Sequence, residues 1–419
     1  MELAIIITFC AGFAAIALEH RIRVNKAATA LLTGVLCWTF LVLDGDRPTE
    51  VTDALTEHMG EIASILFFLL GAMTIVELID AHDGFEIIQR WIRTRDIRTL
   101  LWIVSWVAFV LSAVLDNLTT TIVMVSLVRK LIPSDREKLF FAGMIVIAAN
   151  AGGAWSPIGD VTTTMLWVGG QISTLGIIRN VLIPSILNLL IPILGLSLVV
   201  KGRLQQQQPV QEQERSGSRD GLAVLIIGLC SLLMVPLFKQ FTHLPPFMGI
   251  LLGLGSMWVV TEFIHHEKDE MDRDRLSVNF ALRKIDTPSI LFFLGILLSV
   301  SALETGHLLQ SLAAQLQEVL PGEDALVFSI GILSAIVDNV PIVAAVQGMY
   351  GLERFAQDHH FWHFIAYAAG TGGSLLIIGS AAGVAAMGMM RIEFGWYLRK
   401  IAPWALLGYV AGALWFVLS

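Results

Sequence analysis

Long apolar stretches separated by short polar connections run along the whole chain. A helix needs about 20 residues to cross a bilayer, and most of these stretches approach that length. They predict an all-α polytopic membrane protein. The stretches lie at roughly 3–18, 27–43, 60–79, 99–115, 118–128, 139–170, 177–200, 221–238, 246–264, 287–303, 325–337, 340–352, 361–390 and 401–418.

One polar connection, residues 201–220, is rich in glutamine and flanked by charged residues. Such a composition is typical of a flexible linker, here on the cytoplasmic side, and it divides the chain into halves 1–200 and 221–419. The halves share sequence landmarks in the same order. Ser112-Ala-Val-Leu-Asp-Asn returns 222 residues later as Ser334-Ala-Ile-Val-Asp-Asn. These landmarks predict an internal duplication.

The repeated Asp-Asn phrases divide apolar sequence into short arms. The arms 325–337 and 340–352 have 13 residues each, which is about 20 Å of helix against a hydrocarbon core of about 30 Å. Two complete helices joined by a loop are the alternative. The short arms favour re-entrant hairpins, with Asp116-Asn117 and Asp338-Asn339 near the tips, where protein or water surrounds irregular backbone.

Two further stretches, 139–170 and 361–390, are too long for one straight span. Glycine and proline interrupt each midway and should unwind the helix there. Glycine also allows close helix packing, but the recurrence in both halves is typical of a transporter binding site. The residues expected at the helix breaks are Gly152, Gly153, Pro157, Gly159, Gly372, Gly373 and Gly379.

The basic residues predict the orientation. With five spans and one hairpin per half, 23 of the 27 Lys and Arg residues fall in connections on one side. The positive-inside rule makes that side cytoplasmic, so both termini lie on the non-cytoplasmic side and the second repeat is inverted relative to the first. The acidic connection 44–57 lies opposite. We expect an integral protein of a bacterial inner membrane.

Oxygen-bearing side chains occur at membrane depth without accompanying Lys or Arg. Carboxylates in such surroundings favour a metal cation or a proton over an anion, and hard oxygen ligands suit Na⁺ or Li⁺. The candidate cation- and proton-binding residues are Asp116, Asn117, Asn150, Asp160, Thr162, Thr163, Asp338 and Asn339. Supporting candidates are Ser112, Thr119, Thr120, Ser156, Glu77, Glu304, Ser334 and Ser374.

Several of these candidates also have purely structural interpretations. Glu77 and Glu304 lie near helix ends and could extend to water. Asn117 and Asn339 could cap the second hairpin arms. Thr119 and its neighbouring threonines could bond back to helix carbonyls.

The two copies differ at one informative position. Asp160 lies opposite Ser380, and Thr162-Thr163 lies opposite Ala382-Gly383. The first half therefore has the richer oxygen cluster, and we predict Na⁺ at Asp116, Asn150, Asp160 and Thr163. Asp338 and Asn339 either complete this site or carry protons. Beyond the transported ions we expect no cofactor and no nucleic-acid partner.

The assembled motifs resemble those of the NhaD-type sodium/proton antiporters of the ion transporter superfamily. The motifs are the phrase from Ser112, the run from Asn150 to Thr163 and Asp338-Asn-Val-Pro. The resemblance implies inverted repeats with re-entrant hairpins, a mobile transport domain and a homodimer. It also implies functional roles for Glu77, Glu304 and the eight candidate binding residues. The dicarboxylate branch has Ser-Asn-Thr at its hairpin tips, and this chain has Asp-Asn-Leu and Asp-Asn-Val.

We therefore expect a secondary active Na⁺(Li⁺)/H⁺ antiporter that works by alternating access, with cation and protons competing for buried carboxylates. A proton- or sodium-coupled transporter of small carboxylates or oxyanions is the first alternative. An intramembrane aspartyl enzyme using Asp116 and Asp160 is the second. An aspartyl enzyme would not explain why the chain is duplicated, so we do not expect an enzyme.

Overall fold

The computed structural model describes residues 2–17, 19–44, 48–85, 94, 96–200, 202, 219–266, 274–319 and 322–419. These residues form helices and no β-strand. The helices are α1 (Glu2–Ala17), α2 (Glu19–Ile22), α3 (Lys26–Asp44), α4 (Pro48–Ala81), α5 (Ile97–Leu115), α6 (Asn117–Leu131), α7 (Asp135–Ala154), α8 (Val161–Val168), α9 (Thr174–Val199), α10 (Arg219–Thr242), α11 (Pro246–Ile264), α12 (Val278–Lys284), α13 (Thr287–Thr305), α14 (Leu308–Val319), α15 (Glu323–Leu333), α16 (Asn339–Met349), α17 (His360–Gly372), α18 (Ala381–Met390), α19 (Phe394–Lys400) and α20 (Ala402–Leu418). Most of the predicted linker 201–220 lies outside the described residues.

Seven helices of the described chain are long and apolar enough to cross a membrane, namely α3, α4, α5, α9, α10, α11 and α13. The pair α19 and α20, bent by 53°, forms an eighth if it is counted as one span. The prediction of a polytopic helical membrane protein is thereby confirmed. Both long stretches with internal glycines are broken into two helices, as expected, with the breaks at residues 155–160 and 373–380.

Two helices differ from the sequence-based expectation. The acidic connection 44–57 is helical from Pro48, so that α4 has 34 residues. Proline at the first helical position and the acidic Glu50 in the first turn favour a helix that begins here. In the first half, the stretch 99–115 forms α5 with 19 residues, about the length of a full span, and the short arm predicted at 118–128 is longer than expected, because α6 has 15 residues. In the second half, α15 and α16 have only 11 residues each.

The helices pack as two groups. The first helix group consists of α1, α3, α4, α10, α11 and α13, in which α3 lies along α13 and α4 lies along α11. The second helix group consists of α5 to α9 and α15 to α20. Contacts between the groups are fewer and include α13 with α16 and α4 with α8. Within the first group, a Cβ on Gly34 would lie 2.8 Å from the Gly295 carbonyl oxygen, so glycine permits this close crossing.

Matching positions of the two halves make matching contacts within the second helix group. Ser112 Oγ donates to the Ala149 carbonyl at 2.6 Å, and Ser334 Oγ donates to the Ala369 carbonyl at 3.0 Å. Each bond connects the segment that precedes an Asp-Asn phrase to the helix that precedes a glycine-rich break.

Glycines at the breaks repeat the same correspondence. A Cβ on Gly152 would overlap the backbone oxygen of Phe109, and one on Gly372 would overlap that of Gly331. Both contacts are much shorter than any real side chain tolerates. Close packing is therefore one reason for glycine at these positions, alongside the helix break that we predicted.

Candidate cation-binding site

A cavity of about 60 Å³ lies where the Asp-Asn phrases meet the broken helix of the first half. Its polar lining includes three carboxylates and two amides, those of Asp116, Asp160, Asp338, Asn117 and Asn339. A cavity needs only about 10–15 Å³ to hold one water molecule, so this one has room for an ion with a few water molecules. Pockets for drug-sized molecules are about 300–1,000 Å³. The cavity is therefore of ionic rather than metabolite size.

Asp160 is the centre of the hydrogen-bond network in this cavity. Its Oδ2 accepts from Asn117 Nδ2 at 2.8 Å and from Asn339 Nδ2 at 3.3 Å. Asn117 Nδ2 also donates to Asn150 Oδ1 at 3.1 Å. Only 1% of Asp160 is exposed, so these charge-assisted bonds replace the water that the carboxylate loses. The network joins residues from both halves on one oxygen atom.

Asp160 also caps the second part of the broken helix. Its Oδ1 accepts from the backbone N–H of Thr162 at 3.0 Å, the N-cap arrangement expected where α8 begins. Its counterpart Ser380 caps α18 in the same way, accepting from the Gly383 N–H at 3.2 Å. Asn150 Nδ2 donates to Ser380 Oγ at 3.0 Å, which provides a second bond between the halves.

Asp116 lies at the single-residue break between α5 and α6. Its carboxylate accepts from the backbone N–H and the hydroxyl of Thr119 at 2.7 and 2.8 Å. The backbone has φ 106° and ψ 161°, a region that is almost restricted to glycine and that costs about 1–3 kcal/mol in other residues. Strain of this kind is common at functional sites.

Asp338 differs from Asp116 although it occupies the matching position. Its Oδ2 is 3.3 Å from Lys26 Nζ, and its backbone φ is an ordinary −47°. Sequence reasoning missed Lys26 because this residue was counted within the basic connection 19–26. Its position directly before the apolar stretch 27–43 was the available signal. The expectation that no lysine accompanies the carboxylates was therefore wrong.

The remaining candidates mostly bond to the backbone. Thr163 Oγ1 donates to the Asp160 carbonyl at 2.9 Å, and Ser374 Oγ donates to the Thr371 carbonyl at 2.7 Å. Ser156 Oγ accepts weakly from the Ile158 N–H at 3.4 Å. Thr120 has a buried hydroxyl without a hydrogen-bond partner among the described residues.

Glu77 and Glu304 lie outside the central cavity. Glu77 faces a cavity of about 290 Å³ and pairs with Lys284 at 3.2 Å. Glu304 lines a different cavity of about 440 Å³, together with His58 and Glu61. Thr119 and Leu118 line both the Glu77 cavity and the central one, so these two spaces adjoin.

The described residues contain no cluster of three or more His, Cys, Asp or Glu side chains suited to a transition metal. The donor set is instead carboxylate, amide, hydroxyl and backbone carbonyl, the ligands of alkali and other hard cations. A polytopic helical fold with broken helices around such a cavity defines a membrane transporter.

Comparison with known proteins places the chain within a family. The citrate transporter family matches residues 13–361. The chain is 49% identical to sodium/proton antiporter 1 of Arabidopsis thaliana over 98% of its own length and 71% of the relative's. It is 32% identical to the Na⁺/H⁺ antiporter NhaD of Vibrio cholerae, over 97% of its own length and 89% of the relative's. The NhaD of Alkalimonas amylolytica is 31% identical to this chain, over 94% of the chain and 85% of the relative. The chain belongs to the NhaD-type sodium/proton antiporter family.

Proposed function

We propose that the protein is a secondary active Na⁺(Li⁺)/H⁺ antiporter. The observation that carries this proposal is the cavity of about 60 Å³ lined by Asp116, Asp160 and Asp338. Such a cavity fits a small cation and has carboxylates that can hold protons instead. Relatives named as sodium/proton antiporters over nearly the whole chain support the same function.

Exchange follows from competition at these carboxylates. A desolvated carboxylate is stable when it binds either a proton or a metal cation, and it is penalised when it is charged and empty. Loading either ion lowers the cost of moving the site across the membrane. We assign the cation to Asp116 and Asp160, with Asn150, Thr162 and Thr163 beside them. Asn117 and Asn339 orient the Asp160 carboxylate through the bonds described above.

Alternating access requires that one part of the protein move against another. The two helix groups supply these parts, because the contacts between them are sparse compared with those inside each group. The matched serine and glycine contacts support two repeats, at 1–200 and 221–419. The short helices α15 and α16 support a re-entrant hairpin in the second half. Inverted topology and a homodimer complete this proposal.

The location in a membrane follows from the seven apolar helices. The distribution of basic residues supports a cytoplasmic location for the linker 201–220 and the other basic connections, and it supports both termini on the opposite side. We propose the inner membrane of a bacterium as the location, on the basis of the bacterial NhaD relatives.

Carboxylate transport is the second candidate because the matching family is described as citrate transporters. The central cavity disfavours it, since about 60 Å³ is small for a citrate ion and three aspartates line it. An aspartyl enzyme is also disfavoured. Such enzymes need two carboxylates that share a proton, whereas Asp116 and Asp160 take their bonds from threonine and asparagine donors.

Proton flux in proteoliposomes tests the proposal. Proton-loaded vesicles containing the protein should become alkaline inside when Na⁺ or Li⁺ is added outside, and citrate or succinate should have no effect. The response should be lost in Asp116→Asn and retained in Asp53→Asn, a matched change at an exposed aspartate. No cation response in the wild type would overturn the proposal, and a full response in Asp116→Asn would place the site elsewhere.

A further inference from the structure

Lys26 has a distinctive position at the start of α3. Its ammonium group is 3.3 Å from Asp338 Oδ2 and 4.4 Å from the centre of the Phe292 ring. Lys26 also lines the central cavity that contains Asp116 and Asp160. An ammonium group held between a carboxylate and an aromatic face is doubly stabilised. The cavity therefore contains a cation that belongs to the protein.

The ammonium group makes the two Asp-Asn phrases electrostatically unequal. Asp338 has a cationic partner, while the matching residue Asp116 accepts hydrogen bonds from the uncharged backbone N–H and hydroxyl of Thr119. Asp160 accepts from uncharged amides as well. Among the described residues, the Asp338 carboxylate is paired with a cation, and no ion pair is found at Asp116 or Asp160.

We propose that Lys26 is an intramolecular counter-cation that occupies the Asp338 carboxylate in place of a transported ion. Exchange then uses the carboxylates of Asp116 and Asp160, and Asp338 serves to hold the ammonium group. This inference rests on the proposed antiport function and narrows its binding site to the first-half cluster.

The pair also crosses the interface between the two helix groups. Lys26 begins α3 of the first group, and Asp338 directly precedes α16 of the second. Relative movement of the groups would separate the ammonium from the carboxylate. The pair therefore favours the arrangement seen here, and a cation at Asp116 and Asp160 would oppose it through repulsion of Lys26.

Opposite charge changes give opposite predictions for cation affinity. Lys26→Met removes a positive charge beside the site and should lower the half-saturating Na⁺ concentration about threefold or more, given the strength of charge interactions at partly buried sites. Asp338→Asn leaves the ammonium group uncompensated and should raise that concentration by a similar factor. The double variant Lys26→Met/Asp338→Asn should lie close to the wild type, because both charges are gone.

The experiment measures Na⁺-driven proton flux in proteoliposomes at fixed pH, with the membrane potential clamped at zero. Lys26→Arg should retain wild-type affinity, since the charge is kept. Lys138→Met is the matched control, because Lys138 pairs with Asp135 at 3.1 Å on an exposed surface. Fluorescence size-exclusion profiles establish folding of each variant, and Lys26→Gln replaces Lys26→Met if the latter does not fold.

Shifts in opposite directions that cancel in the double variant support the counter-cation. Three results would overturn it: half-saturating Na⁺ concentrations that shift in the same direction in both single variants, an unchanged concentration in the folded Lys26→Met variant, or a double variant that binds Na⁺ as weakly as Asp338→Asn. The antiport proposal fails separately, through absence of Na⁺-driven flux in the wild type.

Discussion

The side-chain amides of Asn117 and Asn339 donate to the same atom, Oδ2 of Asp160, at 2.8 and 3.3 Å. One asparagine comes from each half of the chain, and each begins the helix after an aspartate. An oxygen that accepts two N–H groups is well satisfied without an ion. Binding of a cation to this oxygen would require the amides to turn their own oxygens towards it. The two asparagines thus offer the site alternative bonding arrangements with and without a cation.

Asn117 should contribute more to cation affinity than Asn339, because its bond to Asp160 is shorter and it also donates to Asn150. With a cation bound, the amide oxygen of Asn117 would turn towards the ion, and Asn117→Ala removes it; a bond to a charged group is worth about 1.5–3 kcal/mol, or about 10- to 100-fold in affinity. We expect Asn117→Ala to raise the half-saturating Na⁺ concentration at least tenfold and Asn339→Ala to raise it less. Flux measurements at graded Na⁺ concentrations check the order, with the exposed Asn180→Ala as control. Equal effects in the control and Asn117→Ala would contradict this role.

The difference between Asp160 and Ser380 separates helix capping from charge. Both residues cap a helix after the glycine-rich break, so Asp160→Ser should keep the cap and remove the carboxylate. We expect this variant to fold, with a melting temperature lowered by loss of the two amide bonds to the carboxylate, and to lose Na⁺-driven flux. Thermal unfolding in detergent and flux assays measure the two properties. Retained flux would show that the Asp160 charge is dispensable.

The matched carboxylate Asp286 provides the control for that experiment. It caps the exposed start of α13, accepting from the Ser289 N–H at 3.2 Å, and does not line the central cavity. Asp286→Ser therefore makes the same chemical change at a cap away from the site. It should leave flux largely unchanged, and a comparable loss there would attribute the Asp160 result to capping.

Local pattern was sufficient to predict much of this site. The repeated Asp-Asn phrase and the glycine-rich runs predicted where helices break, because backbone freedom and helix capping are encoded by neighbouring residues. The divergence of Asp160 from Ser380 was likewise visible by alignment of the halves. The structure then brought Asn117, Asn150 and Asp160 into direct contact.

Contacts between distant parts of the chain could not be predicted in the same way. Lys26 and Asp338 are 312 residues apart, and the surroundings of Lys26 in the sequence match those of any basic loop. The positive φ of Asp116 was equally hidden, since the matching Asp338 is also followed by asparagine and has an ordinary backbone. The length of α4 depended on helix-start signals, Pro48 and Glu50, in a segment that hydropathy alone assigned to a loop.

The backbone of Asp116 predicts a conflict between stability and function. Glycine adopts φ 106° and ψ 161° without a steric penalty, although Asp116→Gly also loses two bonds to Thr119. Relief of about 1–3 kcal/mol of strain should offset that loss. We expect Asp116→Gly to keep the wild-type melting temperature within a few degrees and to abolish flux. Asp338→Gly is the comparison, since its φ of −47° holds no such strain, and it should be less stable than Asp116→Gly. The reverse order would contradict strain at Asp116.

A buried pair of histidines connects the end of α4 to the end of α11 in the first helix group. The two Nε2 atoms of His82 and His265 are 2.7 Å apart, and the rings stack with centroids 4.9 Å apart. His82 Nδ1 is 2.7 Å from the Leu78 carbonyl, which only accepts, so this nitrogen carries hydrogen. One proton can lie between the Nε2 atoms, but two cannot. The native pair therefore cannot hold a positive charge on both rings.

Acidification should accordingly destabilise the protein through these histidines. The unfolded chain can protonate both rings around and below pH 6.5, whereas the folded pair accepts one proton fewer. The free energy of unfolding therefore decreases by up to about 1.4 kcal/mol for each unit by which the pH is lowered. Melting temperatures between pH 8 and 5.5 measure this slope. His265→Phe keeps a stacked ring and should flatten the slope, while the exposed His243→Ala should keep it. Parallel curves for His265→Phe and the wild type would show that the pair does not limit stability in acid.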